Sequence, residues 1–203
     1  MKAFLFFLAC DVAILGFVAS PASGNSKDAC CEAMKTGAFT PTSLYQAEVS
    51  FTDDAGKKFA VGQLRGRPVV LAMFFASCGY ACPLIVSDMQ AIQAKLPAQM
   101  RQRTVFVLVS FDSQRDTPVA LANYRQQRGL GESWVLLHGG TDSVRELAAL
   151  LGVKYKQESD GAFSHSNLIT ILNSEGEIIH QREGLNGGLD ETAAVIVASK
   201  NHP

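Results

Sequence analysis

Apolar residues fall into blocks along this chain, and the length and period of each block predict an element. Residues 47–51 alternate, Asp53-Asp54-Ala55-Gly56 is turn chemistry, and residues 58–61 resume the pattern. The domain, beginning near Leu44, therefore opens with a hairpin. Residues 69–76 form an unbroken apolar run, the pattern of a central strand covered on both faces. Pro83 suits a first helical turn, where its missing N–H would have no partner, and Leu84, Ile85, Met89, Ile92 and Leu96 follow at helical spacing. A helix is predicted to start at Cys82-Pro83. Residues 104–111 read as a second apolar strand, Asp116-Thr117-Pro118 as the cap of a helix reaching about Arg128, and residues 134–137 as a third strand. Ser143 and Glu146 have capping-box spacing for a helix over 144–151 that Gly152 stops. Residues 168–172, the Asn173-Ser174-Glu175-Gly176 turn and residues 177–181 form a second hairpin, and residues 190–200 a final helix.

Strands alternating with helices and ending in a hairpin plus helix predict an α/β fold: a thioredoxin-like three-layer sandwich with a mixed central sheet and an added N-terminal hairpin. What precedes it is different. Lys2, an apolar stretch interrupted by Asp11, and the small residues around Ser20 and Ser23 read as a signal peptide or membrane anchor over residues 1–23. An unpaired carboxylate at mid-membrane is costly, so Asp11 favours a cleaved signal over a permanent span. The apolar run before Cys10 is too short for a lipoprotein signal, and lipidation is not expected. Residues 24–43, rich in small and polar residues, read as a tether carrying Cys30-Cys31, ahead of one thioredoxin-like domain over 44–201.

Composition narrows the function classes. The 203 residues are 47% hydrophobic and 18% charged, which excludes disorder, collagen and coiled coil as descriptions of the whole. A formal net charge of −1 without a run of Lys or Arg gives no footprint for nucleic acid or an anionic membrane surface. A monomer is expected. If residues 1–23 lead the chain out of the cytoplasm, its remaining thiols meet an oxidising compartment, where each needs a partner or a task.

Cys78-Gly79-Tyr80-Ala81-Cys82-Pro83 stands where the buried strand ends and the helix begins. Free N–H groups and the positive helix end favour thiolate there, and two sulfurs one turn apart can converge on a soft cation or close a disulfide. A metal would need a further donor. Of the histidines, His165 in the polar loop before residues 168–172 is the best placed, because such loops gather at sheet ends. His138, His180 and His202 read as surface or tail residues. Cys30-Cys31 stays open between a transient soft-metal port, an intermolecular disulfide and a passive pair.

From about Gln46 to Ala198 the chain resembles the SCO/SenC family, thioredoxin-fold copper proteins associated with assembly of the Cu(A) centre of cytochrome c oxidase. Three motifs carry the resemblance: Cys78-x-x-x-Cys82-Pro83 after an apolar strand, residues 110–118 (Ser-Phe-Asp-Ser-Gln-Arg-Asp-Thr-Pro), and His165 ahead of a strand that ends at an Asn-x-x-Gly turn. Gly79, Ser113 and Ser164 stand where members often carry Pro, Pro and Asp. The resemblance implies copper, as Cu(I) or Cu(II), bound by Cys78, Cys82 and His165. It also implies a metallochaperone, exported, periplasmic or anchored at the outer face of the inner membrane. Its partner would be an oxidase subunit carrying Cu(A) or another exported copper protein. The alternative is an enzyme, a thiol-disulfide oxidoreductase using Cys78 and Cys82 as a redox pair to reduce partner cysteines before metal insertion. Asp116 reads as a helix cap and Asp112 as a loop-holding group.

Overall fold

The N-terminal hairpin forms as the alternation predicts: β1 (Ser50–Asp53) pairs antiparallel with β2 (Lys58–Ala60), with Phe51 facing Phe59. The structure is a computed structural model that describes residues 37–159 and 161–199. The expected leader, Cys30-Cys31 with most of the tether, and His202 lie outside the described residues. Residues 37–43 are hydrogen-bonded to the domain, with Thr40 and Thr42 donating to the Glu177 carboxylate and Arg65 donating to the Gly37 carbonyl. Among the described residues, no helix is long and apolar enough to cross a membrane.

The centre follows from the apolar runs. β3 (Val69–Phe74) and β4 (Val105–Ser110) are buried at every position and pair in parallel, Val69 with Val105 through Phe74 with Ser110. Strands buried at consecutive positions need cover on both faces. α1 (Ala81–Lys95) and α2 (Ala98–Arg103) connect them. α2 breaks no apolar rhythm and has one buried residue, Met100, so nothing in the pattern announced it. α3 (Pro118–Arg128) then leads to β5 (Trp134–Gly139), parallel to β4, and α4 (Thr141–Leu151) follows.

The two helical layers can be assigned from β5. The Trp134 indole donates to Gln93 on α1, and Gln90 on α1 donates to the Arg128 carbonyl closing α3, so these helices share a face. A Cβ added to Gly139, which has the opposite parity to Trp134, would lie 3.4 Å from Val144 of α4. α4 therefore covers the other face. The same added Cβ would lie 2.6 Å from the Phe51 ring, so only glycine lets β1 pair with β5 at this register.

Beyond α4 come β6 (Tyr155–Gln157), β7 (Phe163–His165), β8 (Leu168–Leu172), β9 (Ile178–Glu183) and α5 (Leu189–Ala198), the last packed against α1. The main sheet runs β2-β1-β5-β4-β3-β8-β9, with β8 antiparallel to β3, and β6-β7 form a separate two-stranded sheet. The mixed central sheet, its helical cover and the added hairpin agree with the expected fold class. The capping box does not form. α4 begins at Thr141 after Gly140, and the Ser143 hydroxyl instead accepts the Ser50 N–H, tying the helix to β1.

Candidate metal centre

β3 delivers the chain to the site, and the loop after Phe74 turns into α1 with Tyr80 as the helix N-cap. The helix starts one residue before the predicted Cys82-Pro83, which leaves Pro83 in the first turn, where its missing N–H costs nothing. The Tyr80 side chain caps nothing. The Cys78 sulfur takes that task, accepting the Cys82 N–H at 3.4 Å. Burial works against a Cys78 thiolate, but the N–H groups of Cys82, Tyr80 and Ala81 outweigh it and hold the thiol below its ordinary pKa. Cys82 is the opposite case. It is fully buried, burial pushes its thiol up, and its sulfur meets the Phe75 N–H at 3.5 Å and His165 Nε2 at 3.6 Å. Both cysteines are free thiols.

His165 reaches this position on an element the apolar pattern did not reveal. The expected polar loop is the β6-β7 hairpin, in which Tyr155 pairs with His165 and Gln157 with Phe163. Gly161 has φ of +80°, a conformation that a side chain at this turn would strain. Aromatic contacts seat the hairpin on the domain: Phe111 stacks on Tyr155 at 4.7 Å, and Phe163 meets Phe75 at 5.3 Å. The His165 ring lies 5.2 Å from Phe111 and edge-on to Phe75.

The imidazole also has a defined tautomer. His165 Nδ1 lies 3.1 Å from the Ser166 carbonyl, which accepts only a proton-bearing nitrogen, so Nε2 carries the lone pair that faces Cys82. That lone pair is directed at the space beside the Cys82 sulfur, where a soft cation would meet it, and binding of such a cation as thiolate releases the Cys82 proton.

Among the described residues, one group of three or more side chains is disposed to hold a metal ion: the sulfurs of Cys78 and Cys82 and a ring nitrogen of His165, all within 4.8 Å of one another. Two sulfurs and an imidazole suit a soft, low-coordinate cation. The other two histidines among the described residues lie elsewhere: His138 on β5 opposite Thr52, and His180 on β9 near Thr192. An open cavity of about 490 Å³ adjoins the group, lined on its apolar side by Phe75, Tyr80, Ala81 and Phe163. It is a route by which a partner's side chains could approach Cys78.

The 110–118 segment braces the site. Asp112 is buried and accepts the backbone N–H groups of Gln114 and Arg115, the expected loop-holding role. Arg115 bonds to the Asp112 carboxylate and to the Gly161 carbonyl, joining this loop to the hairpin that carries His165. The motif contained Arg115, but only the fold supplies its partner. Asp116 differs from expectation: the cap is the Thr117 hydroxyl, which accepts the Ala120 N–H, while the Asp116 carboxylate accepts from Ser110 and from Ala76 below the cysteine loop. Burial pushes the Asp116 carboxyl up, against the lowering effect of those two donors.

Comparison with known proteins places this geometry in a family. The family model described as SCO1/SenC matches residues 38–198. A Stutzerimonas stutzeri protein, provisionally named copper-binding, is 27% identical over 135 residues, a match spanning 64% of this chain and 65% of that protein. The crystal structure of Arabidopsis thaliana ScoI with copper bound superposes with a TM-score of 0.68 at 21% identity, covering 76% of this chain and 97% of that one. BsSco, a member of the Sco family of cytochrome c oxidase assembly proteins in which a disulfide switch has been identified, superposes at 0.65 with 21% identity, covering 76% and 92% of the two chains. The superpositions show a shared, thioredoxin-like fold. With the family model matched over nearly all of the described domain, this chain belongs to the SCO1/SenC family.

Proposed function

We propose that this chain is a copper metallochaperone that carries the ion on Cys78, Cys82 and His165 and delivers it to a Cu(A)-type centre of an oxidase subunit outside the cytoplasm. The observation that carries the reading is the convergence of the three donors within 4.8 Å, with His165 Nε2 turned toward the Cys82 sulfur. Copper is the cargo. Two thiolates and an imidazole satisfy Cu(I) in three-coordination, and the same set with an added oxygen or nitrogen donor accepts Cu(II). Release proceeds by ligand exchange: a partner thiolate or imidazole enters at half-buried Cys78, and the buried Cys82 yields last. Relatives support the choice of ion and partner, since ScoI was solved with copper bound and BsSco belongs to a family of oxidase assembly proteins. The test is metal analysis with absorption spectroscopy on the purified chain, wild type beside Cys78→Ala/Cys82→Ala. One copper per wild-type chain and none in the double variant is expected; tight binding retained by the double variant overturns the reading.

A second reading has its own observation, the unequal pair of thiols. Cys78 is the more exposed and has its pKa lowered, whereas Cys82 is buried beside it, the arrangement of an attacking and a resolving cysteine. The Cys78 thiolate would attack a partner disulfide and expel one partner thiolate. Cys82, once deprotonated, would then attack the Cys78 sulfur and release the second, leaving Cys78-Cys82 oxidised until an external dithiol restores it. This chemistry does not use His165. Partner reduction that survives His165→Ala but not Cys78→Ala favours it over copper delivery.

A further inference from the structure

We infer that Asp116 is a positioning residue of the metal centre, holding through one carboxylate oxygen the turn that aims both cysteines at a shared ion. Its Oδ2 accepts the Ala76 N–H at 2.8 Å and the Ser110 hydroxyl at 2.5 Å. The held 75–76 peptide supplies the carbonyl that Cys78 uses, and the peptide before it supplies the N–H that meets Cys82. The Phe75 N–H points at the Cys82 sulfur at 3.5 Å, and the Phe75 carbonyl accepts the Cys78 N–H at 3.2 Å. Residues 75 and 76 thus engage three partners, one from each cysteine and one from Asp116. A shift of the Ala76 amide would therefore disturb the Phe75 contacts to the Cys78 backbone and to the Cys82 sulfur.

The ordinary explanations for an aspartate at this position are already taken by neighbours. Thr117 caps α3. Arg115 pairs with Asp112 rather than with Asp116. Asp116 is only 3% exposed, and a buried carboxylate without a paired cation is retained at a cost that its hydrogen bonds only partly offset. An oxygen acceptor beneath the Ala76 amide is what the site gains from it. Groups that orient metal ligands from outside typically change metal affinity by about 10- to 100-fold when removed.

The inference rests on the copper reading, and the experiment separates the two. The full chain is titrated with Cu(I) against a competing chelator, and its Cu(II)-thiolate charge-transfer band is recorded. The variants are Asp116→Ala, Asp116→Asn, which keeps an oxygen acceptor, and Thr117→Ala, which weakens the α3 cap without touching the turn. Asp116→Ala should lower Cu(I) affinity by about 10- to 100-fold and shift or abolish the band. Asp116→Asn should keep the band, and Thr117→Ala should bind as wild type does. In the metal-free chain, hydrogen exchange at the Ala76 amide should speed up in Asp116→Ala and not in Asp116→Asn. If Asp116→Ala does not fold, Asp116→Glu takes its place: it keeps the charge, moves the oxygen by one methylene, and should alter the band. Wild-type binding and exchange in Asp116→Ala, equal losses in Asp116→Ala and Asp116→Asn, or an equal loss in Thr117→Ala each overturn the inference alone. A wild-type chain that takes up no copper overturns the copper reading and this inference with it.

Discussion

His165 Nε2 lies 3.6 Å from the Cys82 sulfur although 83 positions separate the two residues, and that approach is made by the β6-β7 hairpin folding back over the end of β3. It turns a cysteine pair into a three-donor site. His165→Ala should leave the cysteines in place and weaken Cu(I) binding by about 100-fold or more, since even groups that only orient a ligand are worth up to that factor. Competition with a Cu(I) chelator measures it. Wild-type affinity in the variant would return the pair to redox chemistry alone.

The two thiols should also be chemically distinct in the reduced, metal-free chain. Burial opposes the Cys78 thiolate, yet the surrounding N–H groups depress its pKa below the usual value of about 8.5, while burial raises that of Cys82. A depressed pKa means thiolate persists as the pH falls. Iodoacetamide should therefore modify Cys78 first, with a pH midpoint below that of an ordinary thiol, and reach Cys82 only at alkaline pH or on unfolding. Peptide mapping across pH decides this, and equal labelling of both cysteines contradicts it.

Asp54 offers a pH-dependent contribution to stability away from the site. Burial raises its carboxyl pKa, but the hydrogen bonds and charge of Arg125 prevail and lower it, with Nη2 donating to Oδ1 at 2.8 Å. A carboxyl with a depressed folded-state pKa stabilises fully above its unfolded value of about 3.9 and loses that contribution as pH falls through the folded value. Discounted for partial solvent exposure, Asp54→Asn should cost about 1 kcal/mol at neutral pH, and the gap from wild type should close in acid. Denaturant unfolding at both pH values tests it.

Much of the centre could be read before folding, for identifiable reasons. Unbroken apolar runs marked β3 and β4, and Pro83 marked the first turn of α1, so Cys78 and Cys82 were placed at a strand end facing a helix start. The strand β8 placed His165 near that sheet end. What stayed hidden depends on partners distant in sequence. β6 and β7 have three residues each with none fully buried, too short for an alternation signal, and what seats them is packing by Phe75 and Phe111 from other elements. Ser143 had the spacing of a cap and bonds to Ser50 instead; Asp116 stood beside a cap and reaches Ala76. In both cases a short polar side chain left its local option for a partner across the fold.

Arg115 should influence the metal without touching it. Its guanidinium bridges the Asp112 carboxylate and the Gly161 carbonyl, so Arg115→Ala frees the turn of the hairpin that holds His165. Both cysteines keep their contacts. Cu(I) affinity should fall by about tenfold while the alkylation profile of Cys78 stays as in wild type. A loss of Cys78 reactivity in the same variant would point to general loosening instead.

Tyr80 is 76% exposed between the two cysteines, at the rim of the cavity beside Cys78, and its side chain caps nothing. An exposed aromatic ring contributes little to folding, and a surface substitution there should stay within about 0.5 kcal/mol of wild type. At an interface the same ring is worth far more, because aromatic anchors at the centre of a contact dominate binding energy. Tyr80→Ser should therefore leave melting temperature and copper affinity unchanged, yet slow copper transfer to a Cu(A)-domain acceptor by about tenfold or more. Leu150→Ser, at an exposed apolar residue in the last turn of α4, is the matched control and should transfer at the wild-type rate. Stopped-flow absorption of the loaded chain mixed with acceptor measures both, and equal rates for Tyr80→Ser and wild type would remove this face from the docking surface.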